Sequence, residues 1–163
     1  MPDATKLNRE QMEIRRTNPD DPAAQAAIGA YSRFLAGKIP DEGPEPLALP
    51  MMGDAERHRP PQGAVLVAFS DGAPVGAVSL RSLAPGLGEI KRLWVVPEAR
   101  GLGLARRLMR DAEDQARALG MTRLKLDTNH ALTEALALYR ADGWVETEPY
   151  SDYPATRWFT KVL

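Results

Sequence analysis

The segment of the chain best suited to bind an anion is residues 100–106, with the sequence RGLGLAR. It lies between a strand-like run and an amphipathic helical pattern, so it predicts a helix N-terminus, where up to four amide groups lack helical partners and the dipole is positive. Gly101 and Gly103 have no Cβ atoms and let phosphate oxygens approach these amides closely. Arg100 and Arg106 add positive charge. The segment therefore predicts a site for a diphosphate.

Two common nucleotide motifs do not fit this segment. The dinucleotide fingerprint requires a glycine three residues after Gly103, where the chain has Arg106, and the Gly-Lys-Ser/Thr of a P-loop is missing. An ordinary strand-to-helix turn that binds no ligand is the alternative left open at this point.

Composition excludes several other kinds of chemistry. The 21 Lys and Arg residues nearly balance 22 Asp and Glu residues, so the formal charge of -1 gives no field that would favour nucleic acid or an acidic membrane. The chain has no cysteine, which excludes a cysteinyl acyl-enzyme and zinc-thiolate sites and is typical of a reducing compartment. His58 and His130 lack metal-ligand spacing, so we expect no metal. Apolar runs such as residues 64–69 are too short to span a bilayer, and we expect a soluble cytoplasmic protein.

The elements that position the turn follow from hydrophobic periodicity. Period-two patterns predict strands over residues 12–16, 64–69, 75–80, 89–96, 123–127, 144–148 and 156–162. Helical patterns begin near Pro22, Leu104 and Leu132, and the last two end at Gly120 and Gly143. The strand-helix-strand unit around the turn implies one parallel strand pair with a right-handed crossover. The Pro-rich residues 37–63 predict a long loop with a short helix within 47–58.

Three segments in this order resemble the GNAT family of N-acetyltransferases: EIKRLWV at 89–95, RGLGLA at 100–105, and ALALY at 135–139 followed by Gly143-Trp144. The resemblance covers residues 64–163. It implies an α/β (α+β) fold with a central mixed, mostly antiparallel twisted sheet of six to seven strands, splayed at the middle and flanked by about four helices. It implies one acyltransferase domain over 1–163, in which residues 1–10 are a candidate for disorder.

The resemblance also implies acetyl-CoA as donor, with no metal. In the family, the turn binds the pyrophosphate of coenzyme A, which assigns that role to Arg100, Gly101, Leu102, Gly103, Leu104, Ala105 and Arg106. The main chain of Leu93, Trp94 and Val95 would pair with the pantetheine arm. The family often has an asparagine seven residues before its tyrosine. In this chain that position is Leu132, and the asparagine nearby is Asn129. We expect Asn129 to contact the cofactor, and the alternative is that it caps the following helix.

Two residues match catalytic positions of the family. Tyr139 matches the tyrosine that protonates the departing thiolate, and a phenol with a reference pKa of about 10 can do so at neutral pH. The alternative role of Tyr139 is packing in the core. Glu89 matches a glutamate that deprotonates the attacking amine in part of the family. Its alternative is a strand residue paired with Arg or Lys.

The acceptor is the least determined part of the expected function. Tyr31, Phe34 and the loop 37–63 are candidates for one wall of its pocket, and Tyr150 in the turn 148–154 for another, with core packing as the alternative for the aromatic residues. We expect direct transfer of acetyl to a primary amine of a small molecule in a ternary complex. Acetylation of a protein lysine or N-terminus, or a noncatalytic acyl-CoA sensor, are the alternatives. A homodimer through the C-terminal strands is also consistent with the family.

Overall fold

The computed structural model describes residues 7–39 and 55–163. Within them seven strands and three α-helices occur in the order β1 Met12–Thr17, α1 Pro22–Lys38, β2 Ala64–Ser70, β3 Ala73–Ala84, β4 Leu87–Val95, α2 Leu104–Ala118, β5 Arg123–Thr128, α3 Thr133–Ala141, β6 Val145–Glu146 and β7 Arg157–Val162. The expected helix within 47–58 is a 3-10 turn at Ala55–His58 where it is described, and 47–54 lie outside the described residues. Of the segment 1–10, a candidate for disorder, residues 1–6 lie outside the described residues, and Arg9 and Glu10 belong to the 3-10 turn Arg9–Gln11, which Asn8 caps.

The strands form one sheet in the order β1-β2-β3-β4-β5-β7-β6. Only β4 and β5 are parallel, and every other neighbouring pair is antiparallel. This confirms the mixed, mostly antiparallel sheet and the single parallel pair around α2. The described residues contain three α-helices where we expected about four. Strand β6 covers only Val145–Glu146 of the predicted 144–148, and the amide of Thr147 still donates to the carbonyl oxygen of Trp158 (2.9 Å).

Helices cover both faces of the sheet. Successive residues of β2 point to opposite faces. Val65 and Val67 therefore pack with α1, and Leu66 with α2, so this strand is buried on both sides. Helix α2 buries Leu104, Leu108 and Ala112, as its periodicity predicts, while Gln115 and Leu119 are half-buried. We call the two sides the α1 face and the α2 face.

The parallel strands β4 and β5 separate soon after they meet. Their pairing covers only Leu87–Glu89 with Arg123–Lys125. Farther along, the register of β4 against β3 shifts by one residue, and Arg92 within this bulge has a φ of 57°. A bulge bends its strand and increases its twist. The gap between β4 and β5 is thus produced by the backbone, and the expected splay at the middle of the sheet is confirmed.

Candidate active site

A cavity of about 460 Å³ lies where β4 and β5 separate. Its walls are the second half of β4, the turn that leads into α2, the end of β5, helix α3 and one side of α1. Of the residues expected to form the site, the cavity is lined by Tyr31, Phe34, Leu93, Trp94, Val95, Arg100, Gly101, Gly103, Leu104, Ala105, Arg106 and Tyr139. Leu102, Glu89, Asn129 and Tyr150 are not among its lining residues. One cavity therefore connects the predicted anion site to the predicted acid.

The turn before α2 has the geometry expected of an anion site. Gly101 and Gly103 have φ values of 78° and 77°, a region that residues with a side chain rarely adopt. A Cβ at Gly101 would meet no atom within 4 Å, so the space in front of the turn is open. The amide of Arg107 donates to the carbonyl oxygen of Gly103 (3.1 Å). The amides of the three preceding residues, 104–106, have no acceptor one helical turn earlier among the described residues, and they are available to an anion.

Arg100 connects the turn to both helices across the cavity. Its Nε lies 3.7 Å from a carboxylate oxygen of Glu134 on α3, and its guanidinium lies 5.5 Å from the centre of the Phe34 ring on α1. Phe34 was expected in the acceptor wall. The structure places it in the cavity wall, beside the turn.

The half of β4 after the bulge offers its main chain to the cavity. Trp94 and Val95 pair with Ala77 and Gly76 of β3 on one side, while β5 no longer pairs with β4 on the other. The side chain of Trp94 packs into the cluster under α1. The open edge can thus pair with an extended amide-containing ligand as it would with a strand.

Tyr139 lies deep in the cavity wall. It is 5% exposed, and its ring contacts Trp144 and Phe159 at centroid distances of 6.1 and 5.8 Å. Burial raises the pKa of Tyr139 well above its usual value, and the nearby Tyr31 and Asp127 raise it further. The phenol therefore remains protonated at neutral pH.

Glu89 and Tyr150 contact each other, although 61 residues separate them. The Tyr150 hydroxyl donates to Glu89 Oε2 (2.8 Å), and Arg81 donates to Oε1 (2.7 Å). Lys91 Nζ lies 3.5 Å from the same Oε1, and Glu89 is 1% exposed. Burial, followed by the charge of Glu89, raises the pKa of Tyr150 far above its usual value. These contacts match the alternative in which Glu89 is held in an ion pair.

Asn129 stabilises the connection between β5 and α3. Its Oδ1 accepts a hydrogen bond from the amide of Ala131 (2.8 Å), and its Nδ2 donates to the carbonyl oxygen of Pro154 (2.7 Å). Both polar ends of the side chain are thus bonded within the protein. The contacts are those of a turn residue, although α3 begins at Thr133 and has Leu132 at its N-cap.

Sequence reasoning missed several charged residues in the cavity wall, among them Asp127 and Lys91. The Ser151 hydroxyl donates to Asp127 Oδ2 (2.7 Å) and itself accepts from the Trp158 indole (2.9 Å). The other oxygen of Asp127, Oδ1, lies 3.7 Å from Lys91 Nζ. The alternation in RLKLD at 123–127 could have indicated Asp127. It places an acidic residue at the carboxyl end of a strand that pairs with β4, the strand before the glycine-rich turn.

In residues 7–39 and 55–163, no group of three or more His, Asp or Glu side chains is arranged to hold a metal ion. The helices in this part of the chain are all too short or too polar to cross a bilayer.

Comparison with known sequences gives one family. The family model of the acetyltransferase (GNAT) family matches residues 24–144. A relative named IAA acetyltransferase, from Azospirillum brasilense, is 33% identical over 141 residues, which are 86% of this chain and 88% of that protein.

Solved structures agree in fold. An acetyltransferase from Streptococcus agalactiae has a TM-score of 0.78 at 20% identity, over 94% of this chain and 99% of that one. The PaiA N-acetyltransferase from Thermoplasma acidophilum, solved in complex with coenzyme A, has a TM-score of 0.73 at 17% identity, over 93% and 99% of the two chains. At such identities the likeness concerns the fold alone.

Proposed function

Since this chain belongs to the GNAT family of acetyltransferases, we propose that it transfers acetyl from acetyl-CoA to a primary amine of a small molecule. The observation that carries the proposal is the single cavity that runs from the turn at 101–106, between the separated β4 and β5, to Tyr139. A ligand with an anionic head and a long amide-containing arm fits such a cavity. Acetyl-CoA has both features.

The donor would bind through main-chain groups. The amides at the N-terminus of α2 would hold the diphosphate, with Arg100 and Arg106 as mobile counter-charges. The open edge of Leu93 to Val95 would pair with the pantetheine amides. That the Thermoplasma protein of the same fold was crystallised with coenzyme A supports this assignment.

The chemical step is a direct displacement. The amine nitrogen forms a bond to the thioester carbon, the carbon-sulfur bond breaks, and the sulfur leaves with the electron pair. Tyr139 would give its proton to this thiolate, because its buried phenol is still protonated at neutral pH. Glu89 as the base that removes the amine proton stays a prediction, since Arg81 and Tyr150 already bond its two oxygens.

A small acceptor is favoured over a protein by the size of the cavity. Its volume of about 460 Å³ must hold the pantetheine arm as well as the acceptor, and α1 covers one side of it. A protein acetyltransferase would need an open groove for an extended chain. A sensor that binds acyl-CoA without turnover has the same donor site, and only an activity measurement separates it from an enzyme.

Calorimetric titration with acetyl-CoA, followed by thiol release with a panel of amines, tests the proposal. We expect micromolar binding and coenzyme A release that requires an amine. If acetyl-CoA does not bind, the donor site is wrong. If it binds but none of a broad panel of amines releases thiol, the chain is a sensor.

A homodimer and a cytoplasmic location stay predictions. Val145 on the edge strand β6 and Val162 on β7 are 63% and 65% exposed, which supports self-association through this edge. Light scattering should give the mass of a dimer for the wild type and of a monomer for Val145→Lys. A monomeric wild type would contradict this assembly.

A further inference from the structure

Asp127 and Lys91 form a charged pair in the cavity wall, where β4 and β5 separate. Asp127 is at the end of β5 and Lys91 is on β4 just before the bulge, so the two residues face each other where the strands separate. About one fifth of each side chain is exposed (21% and 22%). The pair is therefore in contact with the cavity, whereas Glu89 is buried beside it.

Asp127 is held in place through one oxygen only. Trp158 and Ser151 fix Oδ2 through two successive hydrogen bonds of 2.9 and 2.7 Å. Oδ1 has Lys91 Nζ at 3.7 Å, which is longer than the 2.7–2.9 Å of a good charged hydrogen bond. A carboxylate oriented in this way presents a free acceptor to a ligand. Its charge also raises the pKa of the Tyr139 phenol.

Positive charge is in excess around Asp127. Arg81 already pairs with Glu89 at 2.7 Å, which leaves Lys91 beside Asp127 and Lys125 two residues before Asp127 on the same strand. Lys125 Nζ lies over the Tyr150 ring at 5.2 Å and has no carboxylate partner among the described residues. Lys91 Nζ lies 3.5 Å from Glu89 Oε1 and 3.7 Å from Asp127 Oδ1, and both distances are longer than that of a good charged hydrogen bond. When an ammonium group binds Asp127, the surplus cation favours an anion beside it.

We propose that Asp127 and Lys91 bind the acceptor, and that the acceptor is an amino acid or a compound with the same adjacent ammonium and carboxylate groups. Its ammonium donates to Asp127 Oδ1, and its carboxylate pairs with Lys91. This inference rests on the proposed function and names the substrate class of that site.

The pair also has a role in the transfer. An ammonium ion has no free electron pair and must lose a proton before it attacks. Asp127 Oδ1 accepts that proton, the nitrogen forms its bond to the thioester carbon, and the carbon-sulfur bond breaks. The thiolate then takes the proton of Tyr139, and the nitrogen of the new amide loses its second proton to the Tyr139 phenolate. Two protons thus leave the ammonium group, one to Asp127 and one to Tyr139, and one proton is delivered to sulfur.

Matched acceptors test the class of substrate. Coenzyme A release is measured for several amino acids, for their methyl esters and for the amines left after decarboxylation. We expect the free acids to have a kcat/KM about 10- to 100-fold above the two series that lack the carboxylate, the worth of one charged hydrogen bond. Equal rates in the three series would overturn the inference and leave the proposed function intact. No thiol release with any amine would overturn both.

Two variants assign the effect to the pair. Asp127→Asn should lower kcat/KM by at least about 100-fold, as expected for loss of a base, with acetyl-CoA affinity unchanged. Lys91→Met should remove the preference for the free acids, so that their kcat/KM falls to about that of the esters in the same variant. Asp114→Asn, at an exposed position on α2, is the matched control.

The pH profile separates catalysis from structure. In Asp127→Asn the loss of activity should become smaller as the pH approaches the pKa of the acceptor's ammonium group. At such a pH the amine is already deprotonated, and the base is no longer needed. The neighbouring charged or titratable groups are Lys91 and Glu89 on β4, Lys125 on β5, Tyr31 on α1, Tyr139 on α3 and Tyr150. A rate loss that is constant with pH, or activity equal to that of the wild type, would overturn the role of Asp127 as base.

Discussion

Adding one methyl group to the turn at Gly103 tests the anion site directly. Gly103 has a φ of 77°, and a Cβ there would meet only Arg9 Cζ at 4.0 Å, so Gly103→Ala creates no clash inside the protein. The methyl group would occupy the space through which a phosphate approaches the amides. We expect a loss of donor affinity that exceeds the loss of stability.

The two effects have separable magnitudes. A left-handed backbone costs a residue with a side chain roughly 1–2 kcal/mol, part of which is offset because alanine restricts the unfolded chain. Gly120→Ala is the matched control, because Gly120 has a φ of 83°, has nothing within 4 Å of its Cβ position and lies outside the cavity lining. Displacing one charged amide-phosphate hydrogen bond costs about 1.5–3 kcal/mol, or roughly 10- to 150-fold in Kd.

Calorimetry with acetyl-CoA and chemical denaturation give both quantities for each variant. Gly103→Ala and Gly120→Ala should lose similar stability, and only Gly103→Ala should bind acetyl-CoA more weakly. An unchanged Kd in folded Gly103→Ala would refute the anion site at this turn. If that variant does not fold, Gly101→Ala serves the same purpose, because its φ is 78° and nothing lies within 4 Å of its Cβ position.

Three further changes test the catalytic assignments. Tyr139→Phe keeps the ring contacts with Trp144 and Phe159 and should lower kcat by about 10²- to 10⁴-fold with an unchanged Kd for acetyl-CoA; equal kcat would remove the acid role, and exposed Tyr153→Phe is the control. Glu89→Gln should lower the free energy of unfolding, because Arg81 loses its charged partner, and should leave the pH-rate profile unchanged; a shifted profile would make Glu89 the base. Since the folded pKa of Tyr150 is raised, the folded protein keeps a proton that the unfolded chain releases, so the unfolding free energy should fall above about pH 10. In Tyr150→Phe this fall should be smaller, and an identical fall in denaturation experiments would contradict the buried hydrogen bond to Glu89.

Local patterns predicted most of the elements and the donor half of the site. The turn at 100–106 was predictable because an anion site at a helix N-terminus uses backbone amides and glycines, all of which lie within one short segment. The same holds for the helix and strands on either side of it. The β-bulge at Arg92 was not predictable, because a non-glycine residue with φ of 57° has no local signal and is determined by how β4 pairs with β3.

The acceptor half could not be derived from spacing because its side chains come from distant strands. Glu89 matched a family position, but its environment depends on Arg81 of the neighbouring strand β3 and on Tyr150, 61 residues later in the chain. Both contacts follow from the sheet order and are invisible in the sequence.

The parallel pairing of β4 and β5 decides which carboxylate faces the cavity. Glu89 is opposite Lys125 in the last residue pair before the strands separate. Because the two strands are still paired at this position, the Glu89 side chain is buried among its partners. Asp127 is two residues beyond that pair, on the same face but at the opening. The position of the last paired residues therefore makes one acid structural and leaves the other to meet the substrate. If activity depends on Glu89 and not on Asp127, the strands must separate earlier in the working enzyme than they do here.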